Sequence, residues 1–262
     1  MNTPAEIAKN YGGIGQGKVN TPPLKLFILG IMAGIFIGIG GIAYEMATAT
    51  IGGALGKLVG ACMFPAGLAL VLIAGSELFT GNCLLVIPLL EGEVKFSGVL
   101  KNWVFVYLGN FAGSSILAFL VAFGHSPSLL DKGLLDVVMS VAAGKVGLSF
   151  GDAVFRGIVC NMMVCLAVWM SFAGKTVASK MAGLYFPIMI FVLGGFEHTI
   201  ANMYYLMVGI FSNSVYGLGN AAVNLGAAWA KNLLPVTLGN LIGGAAIGAV
   251  YWYLYLKGAK KD

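Results

Sequence analysis

Residues 194–202 read Gly194-Gly195-Phe196-Glu197-His198-Thr199-Ile200-Ala201-Asn202, and the reading of this stretch decides the fold. It sets a carboxylate, an imidazole, a hydroxyl and an amide between two apolar runs, Leu184–Leu193 and Met203–Phe211. Ionisable groups at membrane depth are costly, so they face protein or a water-filled path and mark function. The rest of the chain then reads as the scaffold that places His198.

Composition supports that reading. Of 262 residues, 59% are hydrophobic and 10% charged, against about 25% charged in a soluble domain. Apolar segments of roughly 20 residues recur, the length a helix needs to cross about 30 Å of hydrocarbon. Alternating strands of about ten residues are missing, which argues against a β-barrel. The first apolar run follows a polar stretch and has no small-residue cleavage site after it, so a removed signal peptide is not expected. The net charge of +5 comes mainly from loop lysines, which have a topological explanation and do not imply nucleic acid. Cys62, Cys83, Cys160 and Cys165 lie in apolar runs without metal-type spacing and read as buried free thiols. No cofactor is expected.

Taken in order, residues 1–23 form a polar N-terminal segment closed by Thr21-Pro22-Pro23. Spans are expected near 24–44, 58–90, 102–123, 151–173, 182–211 and 232–256, with a tail at 257–262. Glu45 and Lys57 fall between the first two spans. A polar loop with His125, Asp131, Lys132, Asp136 and Lys145 precedes the fourth, and Arg156 reads as snorkelling near the end of that span. Spans 2 and 5 are too long for one straight crossing, and both contain polar interruptions. With six spans, both termini share a side with ten lysines (Lys9, Lys18, Lys25, Lys95, Lys101, Lys175, Lys180, Lys257, Lys260, Lys261), against Lys57, Lys132, Lys145 and Lys231 opposite. That bias predicts cytoplasmic termini.

The two interruptions match. Glu77-Leu78-Phe79-Thr80-Gly81-Asn82 and Glu197-His198-Thr199-Ile200-Ala201-Asn202 share Glu-x-x-x-x-Asn, from 77 to 197, an offset of 120 residues. Lys101-Asn102 with Leu108-Gly109-Asn110 is echoed by Lys231-Asn232 with Leu238-Gly239-Asn240, an offset of 130. Repeats of about 24–123 and 151–256 hold three spans each, so the second must run in the opposite sense. The fold class predicted is an all-α membrane protein with six transmembrane helices, an inverted 3+3 repeat, and broken helices 2 and 5. Substrate sites in such folds lie near the midplane, at the broken helices.

His198 is the one histidine inside a span, and no second metal ligand stands at the following helical turn. It reads either as a core histidine satisfied by a carbonyl or as a pore group that donates hydrogen bonds and exchanges a proton. Glu77 and Glu197 read as structural, tucked behind the breaks to accept backbone amides, or alternatively as the lining of a cation path. Asn82 and Asn202 are expected to satisfy freed backbone groups. Thr80 stands in the first break as His198 does in the second and could face it. Leu78 and Phe79, with Phe64, Leu68 and Phe191, are candidate apolar constrictions. Lys145 could draw anions toward an outer mouth.

These residues resemble the formate/nitrite transporter family along nearly the whole chain. The matches are Glu77-Leu78-Phe79-Thr80, Gly195-Phe196-Glu197-His198-Thr199-Ile200-Ala201-Asn202-Met203, Asn161-Met162-Met163-Val164-Cys165-Leu166-Ala167-Val168-Trp169-Met170 and Pro235-Val236-Thr237-Leu238-Gly239-Asn240. The resemblance implies an aquaporin-like protomer in a homopentamer, with one pore per protomer for formate, nitrite or hydrosulfide. It carries the family's central histidine to His198, its loop threonine to Thr80, its lysine to Lys145 and its span-4 asparagine to Asn161. It also places outer constrictions at Phe64 and Phe191, and inner ones at Leu68, Leu78 and Phe79. Gly81-Asn82 stands where formate channels carry a small hydroxyl residue, and the N-terminal segment is short and glycine-rich. Both features resemble the hydrosulfide-conducting branch.

The expectation is a passive, pH-sensitive channel for small monovalent anions in a bacterial inner membrane, with hydrosulfide first and formate or nitrite next. A proton-coupled symporter is the first alternative. A neutral-solute channel of aquaporin or ammonia type is the second, although no Asn-Pro-Ala pair occurs at the breaks. An enzyme is not expected, since no nucleophile–base pair appears.

Overall fold

The computed structural model describes residues 1–258, so Lys260 and Lys261 of the expected basic tail lie outside the described residues. Those residues form helices α1 (Pro4–Asn20), α2 (Pro23–Ile51), α3 (Gly53–Met63), α4 (Pro65–Ala69), α5 (Val86–Leu90) and α6 (Phe96–Phe123). They continue with α7 (Gly133–Val146), α8 (Phe150–Ala173), α9 (Val177–Leu193), α10 (Thr199–Val215), α11 (Leu225–Ala227) and α12 (Leu234–Tyr255). Five helical runs are long and apolar enough to cross a membrane: α2, Gly53–Gly75, α6, α8 and Leu225–Tyr255. Gly81–Leu90 and α9 are shorter apolar helices.

The polar N-terminal segment and the expected loop before α8 both contain helix. The N-terminal segment forms α1, started by a capping box: Thr3 Oγ1 accepts from the Glu6 amide at 3.3 Å, and Glu6 Oε2 accepts from the Thr3 amide at 2.7 Å. The Thr3 hydrogen bonds hold the Glu6 carboxyl below its usual range, so the box persists above that value and is lost as pH falls through it. The loop before α8 contains α7, which carries Lys145 in its last turn. A third departure concerns Glu45. It lies inside α2, 1% exposed, and Tyr204 donates its hydroxyl to Glu45 Oε2 at 3.2 Å. Helix α2 therefore runs to Ile51, about two turns beyond the expected end at 44.

Close packing is built the same way twice. A Cβ added to Gly30 of α2 would lie 2.8 Å from the Val106 carbonyl oxygen of α6. One added to Gly157 of α8 would lie 2.9 Å from that of Val236 in α12. Small residues at these crossings let the helix backbones touch. The pairs α2/α6 and α8/α12 flank the two interrupted segments.

The first interruption follows a π-helical turn at Leu70–Gly75, and the second follows α9. Gly75 at φ +91° and Gly195 at φ +67° turn the chain at the start of each, a backbone region that favours glycine. Helix termini leave amides and carbonyls without partners, and in an apolar setting those must be met by protein. Asn110 and Asn240 meet them. Asn110 Oδ1 accepts from the Phe79 amide at 3.0 Å, while its Nδ2 donates to the carbonyls of Gly30 and Glu77 at 2.8 and 2.9 Å. Asn240 Oδ1 accepts from the Thr199 amide at 2.9 Å, and its Nδ2 donates to the carbonyls of Gly157 and Glu197 at 2.8 and 2.9 Å. Each asparagine pins one break to the helix beside it.

A candidate solute path between two buried ion pairs

Each break carries a glutamate, and each glutamate meets a lysine. Lys18, near the end of α1, places Nζ 2.8 Å from both Glu77 oxygens and 2.9 Å from Asn82 Oδ1. Lys145, near the end of α7, places Nζ 3.1 and 3.3 Å from the Glu197 oxygens. Asn82 Nδ2 donates to Glu77 Oε2 at 2.6 Å and to Asn102 Oδ1 at 2.8 Å. Asn202 Nδ2 donates to Glu197 Oε2 at 2.5 Å and to Asn232 Oδ1 at 2.8 Å. Asn102 and Asn232 then return to the lysines' own backbone, donating to the carbonyls of Lys18 at 3.4 Å and Lys145 at 3.1 Å.

This arrangement corrects two expectations. The glutamate carboxylates take side-chain donors, chiefly lysine and asparagine. Asn82 and Asn202 spend their amide nitrogens on side chains, because Asn110 and Asn240 already serve the freed backbone. Lys145 is a largely buried ion-pair partner on a helix, with 13% of its side chain exposed, and its Nζ stands 5.3 Å from the Tyr205 ring centre.

His198 caps α10. Its Nδ1 accepts from the Ala201 amide at 3.0 Å, and its Nε2 lies 2.8 Å from Thr80 Oγ1. The first contact settles the second. A nitrogen that accepts an N–H carries no hydrogen, so the neutral ring holds its proton on Nε2 and donates it to Thr80. The Thr80 hydroxyl hydrogen is left free to donate elsewhere. A second ring proton would displace the Ala201 bond at the positive end of α10. The geometry thus makes His198 a hydrogen-bond donor.

Three cavities follow one another past this pair. On the Lys145 side, a cavity of about 110 Å³ is lined by Lys145, Asn202, Tyr205, Phe64, Phe191 and His198 among others. The next, about 10 Å³, is bounded by Phe64, Phe191, His198, Leu68 and Leu78. The last, about 40 Å³, shares Leu68 and Leu78 and reaches Tyr11, Lys18 and Asn82. A single water needs roughly 10–15 Å³ of such space, so the middle of the row is a constriction with room for about one water at most. Phe64 and Phe191 meet edge to face there, with ring centres 5.6 Å apart.

Three expected path residues line none of these cavities: Phe79, Asn161 and Thr80, the last fully buried and reaching the row only through its bond to His198. Phe79 packs against Tyr107 with ring centres 5.0 Å apart and lines an apolar groove between α6 and α12. Asn161 is fully buried and lines none of these three cavities. Its Nδ2 donates to the carbonyls of Thr80 at 3.2 Å and Asn240 at 2.7 Å, tying the first break to α12. Cys165 adds its thiol to the same Thr80 carbonyl at 3.4 Å. Arg156 is exposed, as a snorkelling residue would be.

Sequence reasoning missed Lys18, counted only as a charge, and gave no role to Asn102, Asn110, Asn232 and Asn240. The signal was present in the repeat, since these four asparagines occupy its matched positions. Because His198 spends its donor on Thr80, Thr80→Val should strand the Nε2–H in the constriction. The variant should remain folded and pass solute at least tenfold more slowly, checked by flux in liposomes; an unchanged rate would remove Thr80 from the path.

The chain matches the formate/nitrite transporter family model over residues 5–254. It is 38% identical to a probable formate transporter of Methanothermobacter thermautotrophicus, with 98% of each chain covered. Among solved structures it is similar to a pentameric formate channel with formate bound, at TM-score 0.79 and 34% identity over 89% of this chain and 98% of that one. It is also similar to an ion channel of the same family, at TM-score 0.83 and 31% identity over 95% and 96%. Apolar helices, two broken segments and a family match across nearly the whole length agree: this chain is a membrane protein of the formate/nitrite transporter family.

Proposed function

We propose that the protein is a channel for small monovalent anions, with hydrosulfide as first candidate and formate and nitrite next. Our reading of the topology is six crossings in an inverted 3+3 repeat. Gly53–Leu90 supplies one broken crossing and Val177–Val215 the other. Termini and Lys18 face the cytoplasm across a bacterial inner membrane, and Lys145 faces outward. The protomer assembles as a homopentamer with one path each. The paired contacts described above support the repeat, and the pentameric formate channel to which the chain is similar supports the assembly.

One observation carries the reading: the His198–Thr80 hydrogen bond sits beside a narrow apolar constriction between two lysine-bearing cavities. Lys145 makes the outer cavity favourable to an anion. Dehydration at the Phe64/Phe191 rings opposes entry. The Thr80 hydroxyl hydrogen, left free because His198 Nε2–H is donated to Thr80 Oγ1, supplies a donor where that cost is greatest. A proton taken up from the aqueous side lowers the cost further, because the neutral acid crosses apolar rings more easily.

The test is flux of hydrosulfide, formate and nitrite through purified protein in liposomes at two pH values, with the proton gradient varied independently. Passive flux following each anion's own gradient and rising at lower pH is expected. A reversal potential set by the proton gradient would make the protein a symporter. Passage of neutral solutes alone would overturn the anion reading.

A further inference from the structure

One buried carboxyl stands apart from the solute path. Glu45 of α2 is 1% exposed and lines none of the three cavities. Its Oε2 accepts from the Tyr204 hydroxyl at 3.2 Å, and its Oε1 has no partner. Among the described residues this is the one hydrogen bond that joins α2 to α10. A buried carboxyl with a single bond stabilises poorly, since replacing both partners by apolar groups of like shape is close to neutral or better. Stability therefore does not account for the pair, but its neighbours in sequence do. Tyr44 precedes Glu45 and Tyr205 follows Tyr204, so the same two dipeptides make a hydrogen bond and a ring contact. Tyr44 and Tyr205 meet edge to face with ring centres 6.2 Å apart, and both line the 110 Å³ cavity. Tyr205 also carries Lys145 Nζ 5.3 Å from its ring centre. Gly41, one turn before Glu45, leaves α2 bare beneath both tyrosines: a Cβ there would lie 2.8 Å from Tyr204 Cδ1 and 3.3 Å from Tyr205 Cε1. Rings lying across a glycine approach closely without a fixed direction, whereas a hydrogen bond supplies one.

We infer that Glu45 is a positioning residue for anion entry. Its bond to Tyr204 sets α10 against α2 and holds Tyr205 against Tyr44 in the cavity wall. That ring pair in turn seats the Lys145 ammonium where an entering anion meets it. The inference rests on the anion-channel reading and adds to it a residue that never touches the solute.

The test measures nitrite flux in liposomes, with the anion supplied on the Lys145 side, alongside thermal unfolding in detergent. Two variants are compared with the wild type: Glu45→Gln, and Glu45→Leu combined with Tyr204→Phe. The double variant removes both hydrogen-bonding groups, so its unfolding midpoint should equal or exceed that of the wild type. Its half-saturating nitrite concentration should nonetheless rise roughly tenfold, the worth of an ammonium–ring contact let go, with the maximal rate little changed. Glu45→Gln keeps an acceptor for the Tyr204 hydroxyl and places its amide nitrogen where Oε1 already lacks a partner. Half-saturation should therefore return to the wild-type value in that variant. A pair that is only structural would lose midpoint and half-saturation together, and that result would overturn the inference. So would wild-type half-saturation in the double variant, or a glutamine variant that behaves like the double. Each of these outcomes leaves the channel standing. Flux of neither nitrite, formate nor hydrosulfide in the wild type would sink the channel reading itself, and this inference with it.

Discussion

Asn240→Leu should abolish the folded channel. The leucine fills similar space but strands the Thr199 amide and the carbonyls of Gly157 and Glu197, all of which Asn240 now satisfies. At about 1–3 kcal/mol for each buried unsatisfied group, the loss rivals the roughly 5–15 kcal/mol by which a typical domain is stable. Asn110→Leu strands the Phe79 amide and the carbonyls of Gly30 and Glu77 and should do the same. Thermal unfolding in detergent, with size-exclusion profiles, reads the effect. A wild-type midpoint in both variants would mean that the breaks are held by something other than these amides.

Lys145 and Glu197 give the second large effect. Their side chains are 13% and 8% exposed, so Lys145→Met leaves a mostly buried carboxylate without its cation, and Glu197→Gln leaves the ammonium without its anion. Breaking a buried pair from one side costs about 3–5 kcal/mol. Lys145→Met combined with Glu197→Gln removes both charges and should recover most of that stability. Flux should stay low in the double variant, because the ammonium that an entering anion could meet on the cavity wall is gone. A double-mutant cycle separates the terms. Additive losses in the two singles, with no recovery in the double, would show that the pair is not coupled.

Much of this was legible before the structure. Apolar run length located the helices, and the two Glu-x-x-x-x-Asn stretches located the breaks. Polar residues at membrane depth singled out His198 and Thr80, which stand 2.8 Å apart. Phe64, Phe191, Leu68 and Leu78 line one small cavity with His198. What could not be read was direction. Phe79 is adjacent to Thr80 yet faces the α6/α12 groove, because an irregular break has no periodicity from which to infer a side chain's face. Partner choice was hidden for a related reason. Lys18 meets Glu77 across 59 residues, and Lys145 meets Glu197 across 52, distances over which local pattern carries no information. Helix α1 was different: its Thr3-Pro4-Ala5-Glu6 start carries a capping-box pattern, which the polar composition of residues 1–23 obscures. Glu45 falls between the first two expected spans because its partner, Tyr204, lies 159 residues away, beyond the reach of local pattern.

The central claim is that His198 serves the passing anion at the constriction, and His198→Phe tests it most directly. Phenylalanine keeps a ring beside Phe191, whose centre lies 5.7 Å from that of His198, but removes the Nε2–H and the cap on the Ala201 amide. The measurement is hydrosulfide, formate and nitrite flux in liposomes at two pH values, made on protein whose folding is checked by its elution profile. A loss of at least a hundredfold for every anion is expected, together with loss of the pH dependence. Unchanged flux with unchanged pH dependence would contradict the account.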